Sequence, residues 1–413
     1  MTMKTLKEMR EESEKCLRCG LCQVVCPIYN VLGSEPAVAR AKVRLTRELA
    51  GGNLKVTPRM KKIMSLCLNC KACVANCPSQ VHTDKLVLAA RAHIKDEDGL
   101  PFLLGAALKQ FLPSNNLQGV AAKASYLYQN LGLQQAMRGC GLIKAVSADL
   151  ANMEAVMPKF APRTFRAELE NMKLKRGGKI KVAYFLSCMT NMVNTELGKA
   201  VVDVLERHGC DVYIPPEVQC CGTPQLAYGD VETATELAKN NAKLLAATGA
   251  DYILTDCGTC GDMLRNYEEL VPEAAGFTAK VMDISEFLVD KLGVKPGDKP
   301  VEAVVTYHDS CHLNRGQKVN SQPRAILKAI PGLTLKEMAE ADRCCGGAGS
   351  FAMTNYELSM QVLDRKMKNI KAVNPDMVAA GCPACKMQLE HGIERHNMKV
   401  PVVHPIELLA RTY

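Results

Sequence analysis

Residues 219–224 read QCCGTP and residues 343–349 read RCCGGAG, so two adjacent cysteines precede a glycine twice, 124 positions apart. A vicinal pair makes a poor disulfide, because the bridge needs well-separated Cα atoms and a particular dihedral. Two neighbouring thiolates can instead bind adjacent or shared metal ions, and Gly222 or Gly346 lets backbone approach with no side chain in the way. The chain holds 20 cysteines in 413 residues. Its charged opening stretch, MTMKTLKEMREESEK, lacks the apolar core of a secretory signal. No apolar run approaches the length of about 18 that would suggest a membrane span. A reducing cytoplasm is therefore expected, where cysteines serve metals or catalysis more often than disulfides.

Eight cysteines fall in two matching runs. Residues 16–27 are CLRCGLCQVVCP and residues 67–78 are CLNCKACVANCP, each C-x2-C-x2-C-x3-C-P. That is the spacing of bacterial two-cluster ferredoxins, in which three close thiolates wrap one cluster and the fourth reaches the other. Cys16, Cys19, Cys22 and Cys77 are expected to hold one [4Fe-4S] cubane; Cys67, Cys70, Cys73 and Cys26 are expected to hold the second. Structural zinc takes four ligands, usually in paired knuckles, and fits two proline-ended runs of four badly. Between them, EPAVARAKVRLTRELA at 35–50 reads as a basic helix, either a solvated face or a docking surface.

The other half is duplicated. Cys188, the doublet Cys220-Cys221 and the pair Cys257-x2-Cys260 are separated by 31 and 35 residues; Cys311, Cys344-Cys345 and Cys382-x2-Cys385 are separated by 32 and 36. In each copy an apolar run (KVAYFLSC, AVVTYHDSC) reads as a buried strand ending at the single cysteine. A helix, a short strand, the doublet, a longer helix and another strand ending at C-x2-C follow. Each copy is thus an α/β unit with cysteines gathered at strand ends. Five thiolates exceed the four a tetrahedral zinc takes, which favours an iron–sulfur centre of unusual shape; zinc or a thiol–disulfide site at C-x2-C are the competing readings. His308 and His312 flank Cys311 and read as structural histidines or as donors to a cluster sulfur. Cys140 and Cys210 lie outside every motif and read as buried thiols.

From Gly99 to Ala148 there is no Asp or Glu, and helical apolar stretches are broken at Pro113 and Gly132. This segment is a helical linker packed on its own domains or an amphipathic face for a membrane surface or partner. Residues 157–178 read as a linker. The formal charge of +9 drops to roughly +5 once two cubanes with their thiolates are counted. With 5% aromatic residues and no tryptophan, no nucleic-acid partner is expected.

The whole pattern resembles a known family. The C-x31–32-CC-x35–36-C-x2-C units are similar to the cysteine-rich CCG domains of the heterodisulfide reductase catalytic subunit, where two such domains hold noncubane four-iron clusters. The stretches PIYNVLGSEPAVARAKVRL, YHDSCHLNRGQKVNSQPRAILKAIPG and EADRCCGGAGSFAMTNYELSMQVLDRKMKNI resemble the iron–sulfur subunit of glycolate oxidase and related FAD-linked D-lactate dehydrogenases. The resemblance implies an α+β multidomain chain. A helical two-cluster ferredoxin module (1–98) and a helical linker region (99–178) would be followed by pseudo-repeated CCG domains at 179–299 and 300–413. It implies one or two further noncubane [4Fe-4S] clusters held by Cys188, Cys220, Cys221, Cys257 and Cys260, and by Cys311, Cys344, Cys345, Cys382 and Cys385. Members of that family often lack some CCG cysteines; this chain keeps all ten.

No G-x-G-x-x-G after a strand and no G-x4-G-K-[ST] is evident. Hydroxyacid oxidation needs a flavin or nicotinamide to take the hydride equivalent, whereas iron–sulfur centres take single electrons. FAD is therefore expected on a partner dehydrogenase subunit. The expected role is electron transfer, with no substrate-oxidising residue on this chain. An electron-transfer flavoprotein or a membrane quinone or haem acceptor are the candidate recipients, the latter at the inner face of the membrane. The alternatives are a heterodisulfide reductase-like subunit whose CCG clusters reduce a disulfide, and a scaffold that only assembles partners.

Overall fold

The duplicated half folds as two four-stranded sheets of one design. A computed structural model describes residues 5–413; the first four residues of the charged opening stretch lie outside the described residues. In the first unit β1 (Ile180–Tyr184), β2 (Cys210–Tyr213), β3 (Tyr252–Thr255) and β4 (Val281–Asp283) run in the order β2-β1-β3-β4. In the second, β5 (Ala303–His308), β6 (Leu333–Leu335), β7 (Met377–Ala380) and β8 (Val402–Val403) run β6-β5-β7-β8. Every pairing is parallel. Parallel strands covered on both faces should be apolar nearly throughout, and β3 (YILT) and β7 (MVAA) are. Helices flank them: Thr195–Arg207 turns Leu197, Val201, Val204 and Leu205 inward at helical spacing. The strands at the two C-x2-C pairs were legible in the sequence. The edge strands β4 and β8, three and two residues long, were too short to carry a period.

Strand order places each single cysteine and each C-x2-C pair at the same place. Cys188 follows β1 and Cys257 follows β3; Cys311 follows β5 and Cys382 follows β7. Neighbouring β1 and β3, like β5 and β7, are where the strand order reverses, and a crevice opens there outside the carboxyl ends of the strands. The two units are not separate globules. One core joins Phe185, Ile253 and Leu264 to Leu363, Val378 and Leu389, and another joins Tyr184 and Val201 to Tyr307, Ile326 and Leu409.

The N-terminal module is helical, with Ala39–Ala50 and Thr83–Asp98 packed together behind the cysteine loops. The expected basic helix at 35–50 is a 3-10 turn, Glu35–Ala37, followed by Ala39–Ala50. In the middle segment, helices Asn115–Asn130 and Leu133–Gly139 are separated at Gly132, which has φ 77°. The stretch 157–178 is more than a tether. Its helix Phe165–Leu169 buries Phe165 against Gly198, where a Cβ would lie 2.9 Å from the ring. No helix among the described residues is long and apolar enough to cross a membrane.

Side chains lock the modules together. Arg91, on Thr83–Asp98, donates to the carbonyls of Met64, Cys67 and, across the boundary, Ala227. Asp262 of the first α/β unit accepts from Lys71 of the N-terminal module at 2.6 and 2.7 Å and lies 2.6 Å from His312 Nδ1 of the second unit. Burial pushes the Asp262 carboxyl up, but His312 and Lys71 outweigh it and hold it at about 2. One carboxylate thus ties three modules. Removing one member of such a buried set leaves uncompensated charge and costs about 3–5 kcal/mol. Asp262→Ala should therefore lower the thermal midpoint of the intact chain and expose the boundary near residue 99 to limited proteolysis. An unchanged midpoint and digestion pattern would mean that the triad does not hold the modules together.

Candidate metal centre

The two N-terminal cysteine runs adopt matching backbone. Arg18 and Asn69, one residue before the second cysteine of each run, have φ 57° and 49°; Gly20 and Lys71, one residue after it, have φ 85° and 58°. These left-handed residues curl each loop around its own interior and turn amides inward. The amide of Asn69 donates to Cys67 Sγ, and that of Val81 to Cys77 Sγ, both at 3.4 Å. Cys16, Cys19, Cys22, Cys73 and Cys77 line one cavity. Cys26 lies instead within electrostatic reach of Cys67 and Cys70, and burial followed by the charges of Cys67, Cys70 and Cys26 pushes the Cys73 thiol well up. Each run therefore sends its last cysteine toward the other.

The ten remaining motif cysteines gather at the carboxyl edges of the two sheets. Cys188 opens helix Cys188–Met192, whose N-terminus is capped by the Ser187 hydroxyl. Cys257 and Cys382 stand at the N-caps of Gly258–Arg265 and Pro383–Arg395. Free amides and the positive end of the helix dipole at these positions favour thiolate over thiol. The doublets arrive on the loops that follow β2 and β6. Gly222 and Gly346 have φ 93° and 89°, and a Cβ on Gly346 would lie 2.8 Å from the Ser359 carbonyl. Glycine is required there for both reasons.

Within each unit the sulfurs approach one another in pairs. Cys221 is held well below the usual thiol range by hydrogen bonds from Cys220 and Cys260, against burial; Cys345 is held low in the same way by Cys344 and Cys385. Their partners Cys220, Cys260 and Cys385 are pushed well up by those same contacts and by burial. Buried thiols this crowded cannot all ionise unless cations replace their protons. The donor set therefore fits an iron–sulfur core, which supplies that positive charge. All 20 cysteines are free thiols.

Contacts between sulfurs link the second N-terminal group to the two α/β units. Cys70 of the N-terminal module meets Cys344, and this contact, then burial, raises the Cys70 thiol. Cys344 meets Cys311. Across the seam between the two units, Cys257 Sγ lies 3.7 Å from Cys382 Sγ, and Thr259 Oγ1 lies 3.5 Å from the latter. The seam is closed by backbone, with the Gly258 amide donating to the Gly381 carbonyl.

Several residues of this region were not singled out by sequence. Asn241 is wholly buried and orients the first doublet, donating to the Cys220 carbonyl and the Tyr267 hydroxyl while accepting from the Gln219 amide. Lys366, at the matching place counted back from C-x2-C, is equally buried and donates to the carbonyls of Glu340 and Ala341. Burial lowers its ammonium to about 8, opposed by the nearby Cys345 and Cys344. The charge of Lys366 suits an anionic neighbour. Aligning the two copies on their C-x2-C pairs would have flagged both positions. Of the two cysteines outside the motifs, Cys210 is buried on β2, but Cys140 is exposed, correcting the expectation for it. It ends the short helix Leu133–Gly139, which packs against helices rather than a core.

Comparison with known proteins yields a consistent set of matches. A 4Fe-4S dicluster domain model matches residues 12–81, and a cysteine-rich domain model matches 182–265 and 305–390. The model of the glycolate oxidase iron-sulfur subunit linker region matches 101–157. The probable glycolate oxidase iron-sulfur subunit of Bacillus subtilis is 36% identical over 98% of this chain and 95% of its own length. Lactate utilization protein A of Bacillus cytotoxicus is 34% identical over 56% of this chain and 98% of its own. A fumarate reductase (CoM/CoB) subunit of Methanothermobacter marburgensis is 35% identical over 56% of this chain and 46% of its own.

The crossed arrangement of the N-terminal cysteines has a spectroscopic consequence. Cys77→Ser should perturb the centre beside Cys16, Cys19 and Cys22 and leave that beside Cys67, Cys70 and Cys73 near its wild-type signal. Damage confined to the latter would contradict the pairing.

Proposed function

Because the chain belongs to the family of glycolate oxidase iron–sulfur subunits, we propose that it carries electrons from a flavin on a partner dehydrogenase subunit, reduced by glycolate or D-lactate, to a downstream acceptor. The chain is an oxidoreductase subunit with an electron-transfer role. Two cubanes would be held by Cys16, Cys19, Cys22 and Cys77 and by Cys67, Cys70, Cys73 and Cys26. Two further centres would be held by Cys188, Cys220, Cys221, Cys257 and Cys260, and by Cys311, Cys344, Cys345, Cys382 and Cys385. When bound, such centres supply one-electron redox chemistry over a wide range of potentials. The division into 1–98, 99–178, 179–299 and 300–413 belongs to the same reading, as do the cytoplasmic setting and a quinone, haem or electron-transfer flavoprotein acceptor.

The observation that carries the proposal is the continuity of the sulfur chain, Cys70 to Cys344 and Cys382 to Cys257. Residues of the chain do the remaining work. Helix N-termini and Lys366 compensate negative charge, the buried doublets exclude water, and Arg91 and Asp262 fix the modules at constant separation. Cys19 lies at the exposed end, surrounded by exposed Leu17, Leu21 and Val24. A second reading, disulfide reduction at the seam, is favoured by the presence of all ten cysteines and by the direct approach of Cys257 to Cys382.

Anaerobically purified protein should contain about 16 iron atoms. Alone it should not oxidise glycolate or lactate, since none of its groups accepts a hydride. Together with its flavoprotein, it should bleach in the thiolate-to-iron bands on addition of the hydroxyacid. Replacing Cys344 and Cys345 by Ala should interrupt onward transfer and spare flavin reduction. Thiol disulfide cleavage by the isolated chain, with no response of the complex to any hydroxyacid, would replace this proposal with the second reading.

A further inference from the structure

The two α/β units are not chemically equivalent, and the difference lies one strand residue from the centre of the second. Aligned on their single cysteines, YFLSC at 184–188 and YHDSC at 307–311 place Phe185 opposite His308. Phe185 is buried in the apolar core. His308, the last residue of β5, is 0% exposed. A ring that carries a donor and an acceptor normally finds partners for both when it is buried. His308 finds no well-formed hydrogen bond at Nδ1 or Nε2, only a loose approach to the Ala341 backbone. Leaving such groups poorly paired is unfavourable, so an apolar residue would serve better if packing were the only demand. Phe185 shows that an apolar residue fits the equivalent position.

The surroundings of His308 supply the missing partner. One ring nitrogen, Cys345 Sγ and Cys385 Sγ all lie within 4.8 Å of one another, all three residues buried. Among the described residues this is the one group of three or more such donors so closely convergent. Cys382, the other member of the same C-x2-C pair, contacts Cys385 and also Cys257 and Thr259 of the first unit. His308 therefore stands with Cys345 and Cys385 in the most tightly convergent donor set of the second unit. Imidazole nitrogen is a good iron ligand in its neutral form.

We propose that His308 is an iron ligand of the centre in the second unit, bonding through a ring nitrogen alongside Cys345 and Cys385, so that the second centre has mixed nitrogen and sulfur ligation while the first has sulfur alone. The inference rests on the reading that the second unit holds an iron–sulfur centre. A neutral imidazole brings no negative charge to the iron it binds, and ligation of this kind goes with a raised reduction potential, as in Rieske centres. The second centre would then be the more readily reduced of the two. Being next to Cys70 of the N-terminal module, it would draw electrons along the sulfur chain toward itself.

The test is pulsed electron paramagnetic resonance on the reduced, anaerobically purified full chain, made with natural-abundance histidine and with 15N-histidine. A strong coupling that changes with the isotope is expected, of the size given by a nitrogen bonded to iron. It should be lost in His308→Phe, which reproduces the first unit, and persist in His312→Gln. His308→Phe should also shift one midpoint potential downward and leave the cubane potentials in place. The labelled wild-type measurement stands even if the variant fails to fold. Absence of nitrogen coupling, a weak coupling typical of a hydrogen-bonded ring, or a strong one that survives in His308→Phe would overturn the assignment. Iron and zinc analysis of the same sample separates the two levels of the argument. A full iron complement without nitrogen coupling refutes the role of His308 alone, whereas about eight iron atoms, or zinc in their place, refutes the iron–sulfur reading of the second unit as well.

Discussion

Everything else in this structure depends on bringing buried thiolates into contact without letting their charges drive the fold apart. Like charges at such separations, away from water, are strongly unfavourable. The chain answers with several kinds of positive counterpart. Cysteines sit at helix N-termini beyond β1, β3, β5 and β7, so amides and helix dipoles face them. Lys366 adds a buried ammonium beside the second doublet. The greatest share falls to the metal core for which the donor sets are arranged. Apoprotein should therefore be much less stable than metal-loaded protein, because binding free energy becomes folding free energy where ligands are brought together only in the folded state.

The same requirement explains why the two α/β units share their cores. Transfer between redox centres needs fixed separations, and a hinge between units would vary them. Apolar layers running from Phe185 to Val378 and from Tyr184 to Tyr307 leave no hinge. At the seam the close pairing of Gly258 with Gly381 lets Cys257 and Cys382 approach to 3.7 Å. The N-terminal module is held by polar contacts through Arg91, Lys71 and Arg315, which donates to the Cys70 carbonyl. An apolar cluster in which Ile28, Leu66 and Leu68 join Phe351 and Val362 completes the docking.

Much of this was legible in the sequence, and the reasons differ by element. The ferredoxin-type runs and the doublets declare themselves because metal ligation fixes residue type and spacing together. Strands β1, β3, β5 and β7 were visible as apolar runs ending in cysteine. β4 and β8 were not, since three and two residues carry no pattern. The contact of Cys70 with Cys344 joins residues far apart in the chain, and no local pattern predicts it. His308 was visible as a histidine near a cysteine, but its two poorly paired nitrogens become informative only once the pocket around them is known. Cys140 was misplaced because a lone cysteine is so often buried that composition alone suggests it.

The account stands on one claim above all: that the second N-terminal centre and the centre of the second α/β unit are near neighbours through Cys70 and Cys344, which pack in one cluster. The most direct test is the electron paramagnetic resonance spectrum of fully reduced protein. Paramagnetic centres so placed should interact, giving split or broadened lines that sharpen when one of the two is selectively reoxidised. A fully reduced spectrum equal to the sum of independent, unbroadened signals would contradict the continuous path on which the proposed function rests.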